Sequence, residues 1–288
     1  MVRKALIPIA GKATRLMPVT SVVPKGMFPL VNAANQIKSV LHVICEQAIS
    51  AGVEYVGIVV SPWQTDIVRQ YFDAVRKGGF GKLPAHIEYI TQASPNGFGD
   101  AVLQGLSFIG EEPFMLLLGD HIYIEDRGQR PCAVQVARAF DSADGVAMIG
   151  MQLVSTEELS RVGVATGVQI QQDIYCCTYF VEKPDLATAR QILVTEGLTE
   201  DTFLAHCGIY VFSPEIFDCI SQVSTTARKA GKEVEFAAAQ TVLLKRYPKK
   251  YLLYKIAGRA YDVGTPSGYA DAQAAFRSKK KWCNESSR

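Results

Sequence analysis

Three short runs in the first half of the chain, residues 4–10, 55–60 and 114–118, are apolar at almost every position. A strand with one wet face alternates apolar and polar residues, so a run without alternation must be covered on both faces. Between these runs the apolar spacing changes. Ile37, Val40, Leu41, Ile44 and Ala48 recur three and four apart, which predicts a helix over 37–51 closed by Gly52. Further helices are expected near 66–75 and over 98–108, with another strand over 86–90. Buried strands alternating with amphipathic helices predict an α/β fold, a mainly parallel sheet with helices on both faces. Ligands of such sheets gather beyond the carboxyl ends of the strands. Gly11 and Asp120 both fall at such ends.

The second half is less regular. Strands are expected over 147–154, 165–170, 175–181, 206–212 and 251–256, and helices over 186–195 and 233–245. No repeat, linker or shift in composition divides the chain. One domain over 1–288 is therefore expected, ending in a basic tail over 276–288. The 30 Lys and Arg against 28 Asp and Glu leave no basic surplus for nucleic acid. No apolar run approaches the roughly 20 residues that span a bilayer. Pro8, Gly11 and Lys12 interrupt the first apolar run too early for a signal peptide, so a cytoplasmic protein is expected. Seven cysteines are scattered without C-x-x-C spacing, which argues against a zinc site and for reduced thiols. Cys176 and Cys177 read as strand residues rather than a redox pair.

Chemistry concentrates at the strand ends. The first apolar run empties into Gly11-Lys12-Ala13-Thr14-Arg15, and ten residues further on Lys25 follows Val23-Pro24. A basic loop containing glycine at a strand end suits a phosphate: backbone N–H groups approach the oxygens and fixed cations neutralise the rest. Arg15 and Lys25 would offset charge on phosphoryl oxygens as a bond there breaks and forms. Asp120 fits either a capping or turn acid or a Mg²⁺ ligand, since Mg²⁺ takes one or two carboxylates and completes its shell with phosphate and water. Asp262 offers a second carboxylate, provided the fold brings the two strand ends together. Glu182-Lys183-Pro184 sets an acid and a cation at another strand end. The pair suits sugar hydroxyls and a phosphate, and it equally suits an exposed ion pair. His121, beside Asp120, is of interest for that position, and it equally suits a residue that caps the strand. No Ser or Cys stands at motif spacing from a His, so a hydrolase triad is unsupported. Gly11-Lys12-Ala13-Thr14-Arg15-Leu16 lacks the later glycines of a dinucleotide fingerprint.

Taken in order, several segments resemble the sugar-phosphate nucleotidyltransferase family, most closely its bacterial UTP–glucose-1-phosphate uridylyltransferases. They are Ala10-Gly11-Lys12-Ala13-Thr14-Arg15-Leu16-Met17-Pro18, Pro24-Lys25-Gly26-Met27-Phe28-Pro29-Leu30, the run 92–102, Leu118-Gly119-Asp120, Val181-Glu182-Lys183-Pro184 and the run 261–269. The resemblance implies a Rossmann-like nucleotidyltransferase fold with a mixed, mainly parallel central sheet. It places a nucleotide-binding part at about 1–125 and a sugar-binding part at about 126–275. The implied reaction joins UTP and glucose 1-phosphate into UDP-glucose and pyrophosphate, by Mg²⁺-assisted in-line attack on the α-phosphorus. A homo-oligomer is the expected assembly.

Carried over by position, Ala10 and Gly11 lie against the nucleotide, Arg15 holds the departing pyrophosphate and Lys25 contacts phosphate at the reacting centre. Gln92 and the backbone at Gly97 read the base, and Asp120 and Asp262 hold the metal. Glu182 binds sugar hydroxyls, Lys183 the sugar phosphate, and Gly163 lets the sugar approach the backbone. A thymidylyltransferase or another NTP and sugar 1-phosphate pair is the alternative, because a single methyl group is worth only about 1–3 kcal/mol of discrimination. A weakly catalytic relative that binds sugar nucleotide and regulates a partner is a further one. It is suggested by Ala13 where the family signature has glycine and by Ser21 where lysine is common. If that loop position needs a positive φ, Ala13 carries strain of roughly 1 kcal/mol or more.

Overall fold

The computed structural model describes residues 1–279. In chain order the strands are β1 (Lys4–Pro8), β2 (Pro29–Val31), β3 (Ile37–Ser39), β4 (Tyr55–Val60), β5 (His86–Thr91), β6 (Phe114–Leu117), β7 (His121–Glu125), β8 (Ala147–Val154), β9 (Gly163–Gln171), β10 (Ile174–Glu182), β11 (Phe203–Phe212), β12 (Tyr251–Lys255) and β13 (Gly258–Asp262). The α-helices are α1 (Val40–Ser50), α2 (Thr65–Gly78), α3 (Phe98–Leu103), α4 (Leu106–Ile109), α5 (Cys132–Asp141), α6 (Leu186–Ile192), α7 (Glu215–Lys229), α8 (Phe236–Arg246) and α9 (Pro266–Ser278).

One nine-stranded sheet in the order β5-β4-β1-β6-β11-β8-β12-β10-β9 runs through both halves of the chain. All its strands share one direction except β10 and β11, which pair antiparallel with each of their neighbours. The sheet is mixed and mainly parallel, as the apolar runs imply. Along β1, Ala5 and Ile7 join one core and Leu6 the other. Successive side chains of a strand point to opposite faces, so a strand buried on both sides cannot alternate with polar residues. The first core is closed by α1, α2, α5 and α9, the second by α3, α4, α7 and α8. Each fully buried Leu or Ile is worth about 1.5–3 kcal/mol.

Several boundaries depart from the sequence reading, among them the helix expected over 186–195, which ends at Ile192, and the strand expected from 206, which begins at Phe203; three others have a clear tertiary reason. The helix expected from 37 begins at Val40, because Ile37–Ser39 pair with β2 and Ser39 Oγ accepts the His42 N–H at 3.2 Å. The helix expected over 98–108 breaks into α3 and α4 around Gly105, where a Cβ would lie 2.6 Å from Leu6 Cδ2. The helix expected from 233 starts at Phe236, since Val234 instead bonds the loop before α3 through Asn96 O (2.7 Å) and the Gly99 N–H (2.9 Å).

β7 and β13 form a separate two-stranded ribbon. At the carboxyl end, α9 runs to Ser278 with Phe276 in the core, and the expected tail from 280 onward, with Cys283, lies outside the described residues. The described cysteines are free thiols. Cys176 and Cys177 sit in β10, where burial pushes the Cys177 thiol up to about 12. Among the described residues no helix is long and apolar enough to cross a membrane.

Candidate functional site

Beyond the carboxyl ends of β1 and β6 opens a cleft of about 2050 Å³ whose wall takes residues from both halves of the chain. Every residue singled out from the sequence lines it: Ala10, Gly11, Arg15 and Lys25 from the first loops, Gln92 and Gly97 from the loop after β5, Asp120 and Asp262 at its centre, and Gly163, Glu182 and Lys183 at the far end.

The ribbon brings the two acids together. Asp120 immediately precedes β7 and Asp262 ends β13, with His121 opposite Asp262 in the antiparallel register. The Val263 N–H donates to the Asp120 carbonyl at 2.8 Å and ties the two ends. Asp120 Oδ2 pairs with Lys25 Nζ, and its Oδ1 meets His121 Nδ1 at 2.9 Å. Burial alone would raise the Asp120 carboxyl; Lys25 and His121 outweigh it and hold the group well below the usual carboxylate range. Asp262 Oδ1 accepts the Gly264 N–H at 2.6 Å, and its Oδ2 lies 3.9 Å from Arg15 Nη2. A Cβ at Gly264 would stand 2.7 Å from Asp262 Oδ1 and 3.4 Å from Asp120 Oδ2, so glycine keeps the space between the acids open.

One ligand atom each from Asp120, His121 and Asp262 lies within 4.8 Å of the others. Two carboxylates that leave positions for phosphate and water fit a hard divalent cation, and an imidazole at the edge also suits softer ones. His121 is the member that the sequence reading noted beside Asp120 without assigning it to the metal.

The loop that leaves β1 is strained at Ala13. Ala13 has φ 48° and ψ 48°, in the left-handed region, and its carbonyl accepts from Thr20 Oγ1 and the Leu16 N–H, each at 3.0 Å. The position does favour glycine, as the family signature has it. Ala13→Gly should therefore stabilise the protein by up to about 1 kcal/mol, net of the extra freedom glycine gives the unfolded chain. A thermal scan should read this as a Tm higher by about 2 °C. An unchanged or lower Tm would mean that the loop stores no strain.

At the far end, Glu182 and Gly163 pair across β10 and β9. A Cβ on Gly163 would lie 2.8 Å from Glu182 Oε2 and 3.4 Å from His206 Nδ1, so a side chain here would close this corner. Lys183 Nζ stands 3.8 Å from Glu182 Oε1, and Lys183 itself has φ 50°. Non-glycine residues held in this region cluster at functional sites, and Lys183 and Ala13 both line the cleft. His206, on β11, was not foreseen, because a lone histidine in an apolar strand carries no pattern. Its Nε2 is buried without a hydrogen-bond partner, and burial lowers its pKa to about 4.

The linkage has a definite sign. The unfolded imidazole takes its proton near 6.5 and the folded one only near 4. The stability is intact above the higher value and is lost as pH falls through that window. Urea unfolding at pH 7 and pH 5 should show this loss, and His206→Gln should shrink it. Equal pH slopes for the two proteins would contradict the assignment.

Where the loop after β5 lines the cleft, Gln92 is 6% exposed and its Nε2 donates to the Gly97 carbonyl at 3.2 Å. Gly97 has φ 100°, and a Cβ there would meet the Val234 backbone at 2.9 Å. Glycine is thus required twice over, by dihedral and by close approach.

A basic strand-end loop, two converging acids and a doubly covered sheet define a class of phosphate-transferring α/β proteins. The Nucleotidyl transferase family profile matches residues 4–279, and the chain belongs to that family. It is 32% identical to the UTP–glucose-1-phosphate uridylyltransferase of Bacillus subtilis, over 97% of this chain and 92% of that protein. The Streptococcus pyogenes protein of the same name is 31% identical, over 93% of this chain and 86% of its own length. Among solved structures, a UDP-glucose pyrophosphorylase complexed with UDP-glucose superposes with a TM-score of 0.76 at 26% identity, covering 96% of this chain and 98% of that one. The fold is the Rossmann-like nucleotidyltransferase fold.

Proposed function

We propose that this protein is a Mg²⁺-assisted uridylyltransferase that converts UTP and glucose 1-phosphate into UDP-glucose and pyrophosphate. The observation that carries the reading is the convergence of Asp120 and Asp262 on the β7–β13 ribbon, beside Arg15 and Lys25, in a chain related over its length to uridylyltransferases. A phosphate oxygen of the sugar 1-phosphate forms a bond to the α-phosphorus of UTP. The bond from that phosphorus to the bridging oxygen of the β-phosphate breaks, and pyrophosphate carries away the electron pair.

No covalent enzyme intermediate is needed, so the protein's work is positioning and neutralisation. Gln92 and the Gly97 backbone hold the base, and Ala10 and Gly11 let the nucleotide approach the end of β1. Arg15 takes charge on the departing pyrophosphate and Lys25 on the reacting phosphate. Glu182 accepts from sugar hydroxyls in the space left by Gly163, and Lys183 holds the sugar phosphate. When bound at Asp120 and Asp262, Mg²⁺ supplies Lewis-acid neutralisation of the phosphoryl oxygens.

The test is pyrophosphate release with Mg²⁺ across a matrix of UTP, dTTP, CTP, ATP and GTP against several hexose 1-phosphates. The UTP and glucose 1-phosphate cell should dominate. A maximum with dTTP would move the reading to a thymidylyltransferase, and silence in every cell would end it.

A further inference from the structure

Beside Gln92, at the start of α3, lies a buried acid with no part in the reaction described above. Asp100 lies in the first turn of α3 and is 2% exposed. Its Oδ2 receives an N–H from Gln92 Nε2 at 2.8 Å, and its Oδ1 receives one from Arg228 Nη2 on α7 at 3.2 Å. We infer that Asp100 is a positioning residue that sets which bases the cleft accepts, by locking the Gln92 amide with its oxygen toward the nucleotide. The inference rests on the uridylyltransferase reading and deepens it.

The two ends of a glutamine amide are chemically distinct. Its nitrogen only donates and its oxygen only accepts. A carboxylate flanked by a guanidinium accepts, so the amide must turn nitrogen, not oxygen, toward Asp100. The second N–H of that nitrogen goes to the Gly97 carbonyl at 3.2 Å. Both donors are thus spent inside the protein. Oε1 has no partner among the described residues, and neither does the Gly97 N–H, while both residues line the cleft. Gly97 and Gly99 also pack against Val234 so closely that a Cβ on either would fall within 3 Å of it, which fixes the frame around the amide.

That frame offers one acceptor beside one donor. Uracil carries an N–H at N3 between two carbonyls, whereas cytosine carries a lone pair at N3 between a carbonyl and an amino group. Whichever uracil carbonyl takes the Gly97 N–H, the Gln92 oxygen faces N3. With uracil it accepts the N3 hydrogen; with cytosine held in the same place two lone pairs face each other, and cytosine meets the frame through its amino group and N3 only by sliding across it. A flipped amide would reverse the preference, and Asp100 forbids the flip. A site built to hydrogen-bond one pattern leaves its buried polar groups unpaired with the other.

Asp100→Asn is the direct test, because asparagine keeps the shape yet can either accept from or donate to the Gln92 amide. The ratio of kcat/KM for UTP to that for CTP should fall at least tenfold, by loss with UTP and gain with CTP, while KM for glucose 1-phosphate stays put. If that variant does not fold, Asp100→Ser makes the same test, since a hydroxyl also works in both directions. A preserved ratio, or an equal loss with both nucleotides, would overturn the inference and leave Asp100 a structural residue. Wild-type protein without UTP turnover would instead overturn the uridylyltransferase reading, and the inference with it.

Discussion

Asp120→Asn is expected to lower pyrophosphate release by about a hundredfold to a thousandfold, the usual scale for losing one preorganised electrostatic group. The carboxylate touches Lys25 through one oxygen and His121 through the other, and an oxygen of Asp262 lies within 4.8 Å of it. Asparagine keeps the shape and one acceptor but removes the charge. The proposed cation site then has a single carboxylate, and Lys25 loses its charged partner. Both groups of the pair are only 16% exposed, so some stability goes as well. A hydrogen bond to a charged group is worth about 1.5–3 kcal/mol, and urea unfolding should show a loss within that range. Calorimetric titration with Mg²⁺ should show weakened binding independent of turnover. Activity within tenfold of the wild type would remove Asp120 from the reacting centre.

Lys183→Ala should act differently. Lys183 follows the last residue of β10 with φ 50°, its side chain is 58% exposed, and its nearest charged partner is Glu182 at 3.8 Å. Such a surface pair contributes little to stability, so the variant should melt close to the wild type. In the proposed reaction its role is to hold the sugar phosphate. A charge-assisted bond to a phosphate, at about 1.5–3 kcal/mol, corresponds to a factor of roughly 10–150 in binding. KM for glucose 1-phosphate should rise by that factor while KM for UTP stays unchanged. A rise in both, or in neither, would contradict the assignment of Lys183 to the sugar phosphate.

The parts of this molecule that were legible in its sequence are those decided locally. β1, β4 and β6 could be read because strands covered on both faces cannot alternate, and Arg15 could be placed in the cleft wall because it lies in the loop that leaves β1. The convergence of Asp120 and Asp262 could not. It depends on β7 pairing with β13, and neither strand forms an uninterrupted apolar run: Glu125 ends one, and Gly258-Arg259 begins the other.

The reversal of β10 and β11 was equally hidden, since an apolar run looks the same whichever way it points. Helix starts moved where the chain found a tertiary partner first, as at Ser39 and Val234. Asp100 lay inside a segment that carried the resemblance, yet its role depends on Gln92 and Arg228, which only the fold brings within reach. The strain at Ala13 was the exception. Its departure from a glycine was visible in the chain, and the left-handed dihedral followed.

The central claim is that this cleft moves a uridylyl group from UTP to a sugar phosphate. Phosphorus NMR of one mixture of protein, Mg²⁺, UTP and glucose 1-phosphate tests it most directly. The diphosphate pair of UDP-glucose and the signal of pyrophosphate should grow together in equal amounts as both substrates decline. Unchanged substrates, or UTP decaying to UDP or UMP while glucose 1-phosphate remains, would contradict it.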